Sequence, residues 1–296
     1  MTSTLDWYGC STFRLRTGGV TLFLDAYIDR VQGAPGSGLT AGDVDQCDWI
    51  VVGHSHFDHL WGAERIVGNT NAKVIGSYET IRVLSALGVA ENKLYPVSGG
   101  ERISLGEGVS VEVFPSLHSC VWSHKQLPKA CEVCIGDLGT TYEEQRLRLE
   151  ELMDWIGSLG PHVLEHLEVS NQGARGDGGA FIYLIHTPEG TVLYQDTSGH
   201  WRGIMQNIRP DVAILAAAGR ANVDGEPIQG TLAQFVAQQA QLLRPGRIIL
   251  GHHDDWLPGF SSDGTDLRPI QKEVTRLAPN TELPKLDYVD SFKLFN

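Results

Sequence analysis

The chain lacks long hydrophobic runs and is poor in basic residues. Nowhere in its 296 residues is there a stretch near the roughly 18 apolar residues that a membrane-spanning helix requires. Its 23 Lys and Arg residues are outnumbered by 36 Asp and Glu residues, which gives a formal net charge of −13. Since nucleic acids and anionic lipid surfaces attract positive charge, we expect neither a membrane span nor a long nucleic acid as partner.

Cysteine is also scarce. The five cysteines are an odd number in a chain of this size, which does not fit a framework of paired disulfides. Residues 1–6 contain neither the basic start nor the apolar segment of a secretory signal. We therefore expect a cytoplasmic protein.

Short runs rich in β-branched and aromatic residues predict strands in two groups. The predicted strands are 5–8, 12–16, 20–25, 49–52 and 109–114 in the first group, and 180–186, 191–194, 212–216 and 247–250 in the second. Helical apolar spacing predicts helices at 78–87 and 231–243. Because helices follow the strands in both halves, we predict a single α/β domain over 1–296, with helices outside two packed sheets.

One segment, residues 119–179, departs from this pattern. It has no clear strand, contains three of the five cysteines, and ends in the glycine-rich stretch 173–179. A helix is predicted at 143–159, with apolar residues broadly on one face: Leu149, Leu152, Met153, Trp155, Ile156 and Leu159. A structureless loop of this length is unusual. We therefore expect an inserted helical lid or a dimerisation element, and the apolar face is a weak sign of a homodimer.

Four side chains that bind metals well follow the buried strand at 49–52. His54, His56, Asp58 and His59 lie within six positions of one another. Imidazole and carboxylate ligands suit zinc, which is our first expectation, and also manganese or iron. The alternative is a surface loop of solvated histidines, but the apolar strand that leads into the loop favours a metal site.

The pattern H-x-H-x-D-H-x-x-G, which runs from His54 to Gly62, resembles the signature of the metallo-β-lactamase superfamily. Segments 111–118, 192–197 and 247–252 are similar to the strands that carry the remaining ligands of that family. Segments 7–13 and 24–27 resemble the opening strands of its ascorbate-6-phosphate lactonase-like branch. The resemblance implies a four-layered αββα sandwich with two metal ions.

The resemblance also implies a ligand set of seven residues. The first metal takes His54, His56 and His118, the second takes Asp58, His59 and His252, and Asp196 bridges both. The chain departs from the family pattern at Gln195, where Gly is common, and has a second histidine, His253, after His252. Adjacent residues of an extended segment point in opposite directions, so one histidine of the pair is expected to bind, and the following residues favour His252.

Two metal ions that share a water lower its pKa, so the expected nucleophile is a bridging hydroxide that Asp58 orients. His200 and His124 are candidate general acids, although for each histidine a structural or surface role is favoured over a catalytic one. The leading interpretation is hydrolysis of an ester-like bond, a lactone or cyclic ester, in a small molecule. A phosphodiesterase is the main alternative. A thiol dioxygenase is a minor alternative, since those relatives keep a similar ligand set, and a non-enzymatic binding module is less favoured because none of the ligands is lost.

A second cluster of metal-binding types lies in the insertion. Cys120, His124, Cys131 and Cys134 suit a structural zinc that would fix this segment. The spacing is irregular, however, and cysteine is often a small buried apolar residue. Cys10 and Cys47 are interpreted in that second way, as core residues.

Overall fold

The structure, a computed structural model, describes residues 2–123, 129–134, 136–261 and 264–295. Its first large sheet has the strand order β18-β1-β2-β3-β4-β5-β6. The strands of this sheet are β1 (Thr4–Gly9), β2 (Thr12–Thr17), β3 (Val20–Leu24), β4 (Trp49–Val51), β5 (Lys73–Ser77), β6 (Leu94–Val97) and β18 (Phe292–Lys293). The pairs β18–β1, β1–β2 and β2–β3 are antiparallel, whereas β3, β4, β5 and β6 run parallel to one another.

The second large sheet has the strand order β17-β13-β11-β10-β8-β7. Its strands are β7 (Arg102–Gly106), β8 (Val109–Pro115), β10 (Phe181–His186), β11 (Thr191–Gln195), β13 (Val212–Ala216) and β17 (Arg247–Gly251). Strand β10 is antiparallel to both β8 and β11, and β13 runs parallel to β11 and β17. Strands β8, β11 and β17 therefore all end at the same edge of this sheet.

Short strands, eight α-helices and two 3-10 helices (Ala41–Asp43 and Glu91–Lys93) complete the described chain. The short strands are β9 (Val133–Cys134), β12 (Gly199–His200), β14 (Asn222–Val223), β15 (Glu226–Pro227) and β16 (Gly230–Thr231). The helices are α1 (Phe57–Leu60), α2 (Ala63–Thr70), α3 (Tyr78–Ala86), α4 (Tyr142–Gly157), α5 (Pro161–Ser170), α6 (Arg202–Met205), α7 (Leu232–Leu243) and α8 (Leu267–Leu277).

The two large sheets pack face to face on a shared apolar core. This core joins side chains such as Leu15 and Leu24 of the first sheet to Val113, Tyr183 and Ile214 of the second. A second cluster packs α7 and α8 against the outer face of the second sheet, and a third packs α2 and α3 against the first. Helices thus cover both outer faces, which confirms the four-layered αββα fold.

The segment 119–179 adds α4 and α5, and so contains the helix that apolar spacing predicts. Helix α4 starts at a capping box in which Thr141 accepts a hydrogen bond from the backbone N–H of Glu144. Leu152 and Ile156 of α4 and Leu167 of α5 pack in a fourth apolar cluster with Trp256 and nearby residues. The insertion therefore lies against the segment that follows β17. Within the described ranges, no helix has the length and hydropathy needed to cross a bilayer.

Candidate metal centre

Four strand ends deliver the metal-binding side chains expected from the sequence. His54 to His59 follow β4 directly, and α1 carries Asp58 and His59 back over the strand end. His118 follows β8, Asp196 follows β11, and His252 follows β17. Because these strands end at one edge of the sandwich, residues up to 198 positions apart, from His54 to His252, meet in one place.

The donor atoms form three groups, in each of which they lie within 4.8 Å of one another. Two of the groups share His54, and the third adjoins them through Asp58, whose Oδ2 lies 3.4 Å from His59 Nε2. The groups are His54 with His56 and His118, His54 with His59 and Asp196, and Cys10 with Asp58 and His252. All seven residues of the implied ligand set are therefore brought together. Cys10 joins them in addition.

Hydrogen bonds fix the orientation of two of the imidazole rings. His118 Nδ1 lies 2.8 Å from the backbone carbonyl of Ser119, and His59 Nδ1 lies 2.6 Å from Asp25 Oδ2. In each ring this contact places the proton on Nδ1 and leaves Nε2 as a lone-pair donor. A histidine held in this way by a carbonyl or a carboxylate is typical of metal sites.

Asp25 is a buried residue that supports the site without being one of the expected ligands. Besides His59, its carboxylate accepts hydrogen bonds from the backbone N–H of Gly53 at 2.8 Å and from the Tyr194 hydroxyl at 2.6 Å. Its backbone is left-handed, with φ 56°, a conformation that Asp and Asn tolerate better than most residues. Asp25 thus connects the end of β3 to the metal-binding loop and to β11.

Buried polar atoms at the site lack partners that a cation would provide. His54 Nε2, Asp196 Oδ1 and His252 Nδ1 have no hydrogen bond within the described part of the chain, although all three atoms are buried. An unsatisfied buried polar atom is costly, and several together in one place indicate a missing ligand. The donor set therefore fits divalent metal ions.

The pKa values of buried groups at the site also favour a bound cation. Burial and the nearby carboxylate of Asp25 together raise the pKa of Asp196 to about 8. Burial and neighbouring imidazoles lower the pKa of His118 to about 3, so this ring is neutral and able to bind a metal. Burial alone would lower the pKa of His59, but Asp58 and Asp25 raise it well above its usual value. A cation at this position would replace the proton that His59 otherwise holds.

Two glycines are required where backbone packs closely on the site. A Cβ on Gly53 would lie 2.0 Å from the carboxyl group of Asp196. A Cβ on Gly178, whose φ is +69°, would lie 2.6 Å from the backbone nitrogen of Ser55. The carbonyl of Gly178 accepts hydrogen bonds from Ser55 and Ser77, so the glycine-rich stretch of the insertion packs directly on the metal-binding loop.

The histidine pair after β17 separates as expected for adjacent residues. His252 Nε2 lies 3.3 Å from Asp58 Oδ2. The ring of His253 instead stacks on Trp7, with centroids 4.5 Å apart. The structure thus places His252 in the site and His253 outside it.

Gln195 and His200 both face away from the metal-binding residues. The Gln195 carbonyl oxygen accepts a hydrogen bond from Gln239 of α7 at 2.5 Å, and its amide donates to the carbonyl of Gly199. The buried ring of His200 stacks on Phe235, with centroids 5.3 Å apart. His200 was expected as a general acid, but β12 turns it under α7, and it is not among the residues that line the cavity at the metal site.

The described cysteines of the insertion, Cys120, Cys131 and Cys134, do not form a comparable group of metal donors. Cys120 and Cys134 are buried and Cys131 is exposed, and no group of three metal donors in the described ranges contains any of them. His124, the fourth member of the predicted zinc cluster and the other candidate acid, lies outside those ranges. The extra zinc stays a prediction.

Sequence reasoning did not identify Cys10 and Asp25 as parts of the site. Cys10 is fully buried, as expected for a core residue, but it also adjoins Asp58 and His252. It lies in the β1–β2 turn, where the carboxylate of Asp254 accepts a hydrogen bond from its backbone N–H at 3.0 Å. A local pattern does not show these contacts, because the partners are 48 to 244 positions away.

Comparisons with known proteins agree with this fold and site. Residues 21–136 match the model of the beta-lactamase superfamily domain. A UPF0173 metal-dependent hydrolase from Pyrobaculum neutrophilum is 31% identical over 275 residues, which cover 92% of this chain and 93% of the relative. A match to the corresponding protein of Pyrobaculum arsenaticum is also 31% identical but spans 66% of that relative's length. The chain belongs to the UPF0173 metal-dependent hydrolase family of the metallo-β-lactamase superfamily.

Solved structures support the fold over the whole chain. Igni18, a metallo hydrolase from Ignicoccus hospitalis, superposes with a TM-score of 0.62 at 17% identity, covering 98% of this chain and 97% of that one. An isothiocyanate hydrolase from Delia radicum gut bacteria gives a TM-score of 0.57 at 12% identity, covering 97% of this chain and 99% of that one. At these identities the likeness concerns the architecture alone.

Proposed function

We propose that the protein is a dinuclear metal-dependent hydrolase that cleaves an ester-like bond, a lactone or cyclic ester, in a small molecule. The observation that carries this proposal is a single cavity of about 290 Å³ bordered by residues of both metal positions. The donors that line it are His56, His118, Asp58, His59 and His252. A molecule bound in this cavity would contact both metal positions at once.

Each metal position would be held by a distinct set of side chains. His54, His56 and His118 would hold one ion, and Asp58, His59 and His252 the other, with Asp196 between them. Zinc is the first candidate for this donor set, with manganese and iron as alternatives. Bound together, two such ions activate water as a nucleophile and polarise a carbonyl oxygen.

Asp58 is the residue placed to orient the attacking water. Burial alone would raise its pKa, but positive charge on His59 and hydrogen bonds from His252 and His59 hold the pKa well below its usual value. The carboxylate therefore stays ionised and able to accept a hydrogen bond. Because Asp58 also lines the cavity, the donor of this hydrogen bond would be a molecule bound in the cavity.

The charge of the cavity supports an uncharged ester over a phosphodiester. No Lys or Arg is among the described residues that line the cavity, and Asp177 adds a further acidic group. A phosphodiester, or a lactone that carries a phosphate, would find no side-chain cation there. The lack of a side-chain cation therefore favours lactones and esters without phosphate. Lactones are also the substrates suggested by the similarity of segments 7–13 and 24–27.

A rate comparison on metal-loaded protein tests the proposal. We expect turnover of a panel of γ- and δ-lactones and aryl esters, and much weaker turnover of bis-p-nitrophenyl phosphate. Asp58→Ala should remove the activity on the esters and on the phosphodiester, while the circular dichroism spectrum stays unchanged. Faster cleavage of the phosphodiester would assign the alternative activity, and activity retained in Asp58→Ala would contradict the role of this carboxylate.

A further inference from the structure

The cavity that borders the metal site is apolar over most of its remaining wall. Leu149, Leu152, Met153 and Ile156 of α4 line it at positions i, i+3, i+4 and i+7. This spacing places the four side chains on one face of the helix. Four of the six residues that form the predicted apolar face of the insertion therefore line a cavity, whereas Trp155 and Leu159 do not.

A second part of the apolar cavity wall is formed by the segment after β17. Trp256, Leu257 and Phe260 line it and are themselves mostly buried, with 5%, 1% and 7% exposure. Leu152 and Ile156 pack with these residues in one apolar cluster, so the two walls are held together below the cavity. Leu149 and Met153, by contrast, are 36% and 38% exposed, which leaves apolar surface open to an occupant.

The cavity wall combines a polar and an apolar set of side chains. Five residues of the candidate metal site line it together with the polar residues Ser119, Asn171, Asp177 and Thr197, whereas α4, α5 and the segment after β17 contribute Leu, Met, Ile, Trp and Phe side chains. A ligand that satisfies both regions has one polar, carbonyl-bearing end and one uncharged apolar arm. A volume of about 290 Å³ is near the lower limit of small-molecule pockets, so the arm is of medium length.

From this arrangement we propose that the inserted helices form a binding site for the apolar acyl arm of the substrate, which is an uncharged ester or lactone with a medium-length hydrocarbon chain. The proposal rests on the proposed ester hydrolysis at the metal site and specifies its substrate class. The insertion thus determines substrate specificity, because its exposed apolar face contacts the ligand.

A series of p-nitrophenyl esters from acetate to octanoate measures the contribution of the arm on the metal-loaded protein. Since a buried methylene contributes about 0.8 kcal/mol, kcat/KM should rise by about fourfold for each added methylene until the cavity is full. Equal kcat/KM for all chain lengths would overturn the proposal and leave ester hydrolysis intact.

Matched variants on α4 locate the effect. Met153→Gln places a polar amide in the cavity, whereas Leu147→Gln changes a residue of the same helix that is 47% exposed and does not line the cavity. Gln and Met have similar helix propensities, so neither change should unfold the helix. We expect Met153→Gln to lower kcat/KM for octanoate at least tenfold with little change for acetate, and Leu147→Gln to leave both unchanged. Equal effects of the two variants would contradict the proposed wall.

Binding of 1-octanol, which has no hydrolysable bond, separates the proposal from the activity. Calorimetry should show that the metal-loaded protein binds 1-octanol far more tightly than ethanol, and that Met153→Gln weakens the binding of 1-octanol. If this result is obtained without any ester turnover, the proposed function fails and the apolar site stands. If 1-octanol does not bind and Met153→Gln instead dissociates a dimer in sedimentation experiments, the face belongs to a second copy of the chain and the proposal is wrong.

Discussion

Replacement of Asp25 by Asn tests whether a residue outside the ligand set determines metal affinity. The carboxylate of Asp25 orients His59 through a 2.6 Å contact to Nδ1 and also accepts hydrogen bonds from Gly53 and Tyr194. Asn has nearly the same shape and tolerates the left-handed backbone, whose φ is 56°. The substitution therefore removes the negative charge and leaves the fold in place.

The expected loss follows from the role of such carboxylates. Removing a hydrogen-bond partner of a metal-binding histidine typically lowers metal affinity by about 10-fold to 100-fold. This range corresponds to about 1.4–2.8 kcal/mol of binding free energy. The loss should concern the ion that Asp58, His59 and His252 are proposed to hold, because Asp25 contacts His59.

Competition with a chromophoric chelator measures both binding steps in the wild type and in Asp25→Asn. Tyr194→Phe is the matched control, since it removes one hydrogen bond to the same carboxylate and leaves its charge and its contact with His59. Its loss should be smaller, about 1 kcal/mol or less. Wild-type affinity for both ions in Asp25→Asn, or an equal loss in Tyr194→Phe, would refute this reasoning.

Three other changes give clear expectations. Gly53→Ala should abolish stable metal binding, because its Cβ would lie 2.0 Å from the carboxyl group of Asp196, the proposed bridging ligand; a wild-type metal content measured for a folded Gly53→Ala variant would be inconsistent with this geometry. Cobalt-loaded wild type should show a thiolate-to-cobalt absorption band that Cys10→Ser lacks, since the sulfur lies with two donors of the second ion; identical spectra would exclude Cys10 as a ligand. Burial lowers the pKa of His200 to about 4, below its unfolded value of about 6.5. Neutral His200 therefore stabilises the fold above pH 6.5, and this contribution is lost as the pH falls towards 4. Urea unfolding should show a smaller decrease in stability from pH 7.5 to pH 5 for His200→Gln than for wild type, and equal decreases would contradict the assignment.

The parts of the fold and site that the sequence predicts are those with strong local patterns. The apolar run before His54 predicts β4, and the spacing of Leu149, Leu152, Met153 and Ile156 predicts α4. Strands β5, β6 and β7 were not predicted. They are four or five residues long, and β6 contains a proline and β7 is largely exposed, so alternation is weak.

The residues that sequence reasoning missed act through contacts between distant segments. Asp25 follows β3 and reaches His59, which lies 34 positions away, and Tyr194, which lies 169 positions away. The position of His200 depends in the same way on packing, because its ring is covered by α7. Residue type and spacing indicate which side chains can bind a metal, but the tertiary fold decides which of them face the cavity.

The metal content of the purified protein tests the dinuclear centre most directly. Inductively coupled plasma mass spectrometry on protein saturated with zinc and freed of excess metal should give two ions per chain. Asp196→Ala, which removes the carboxylate between the two positions, should lower this number while the fold is retained. One ion or none in the wild type, or two ions held as tightly in Asp196→Ala, would contradict the dinuclear centre.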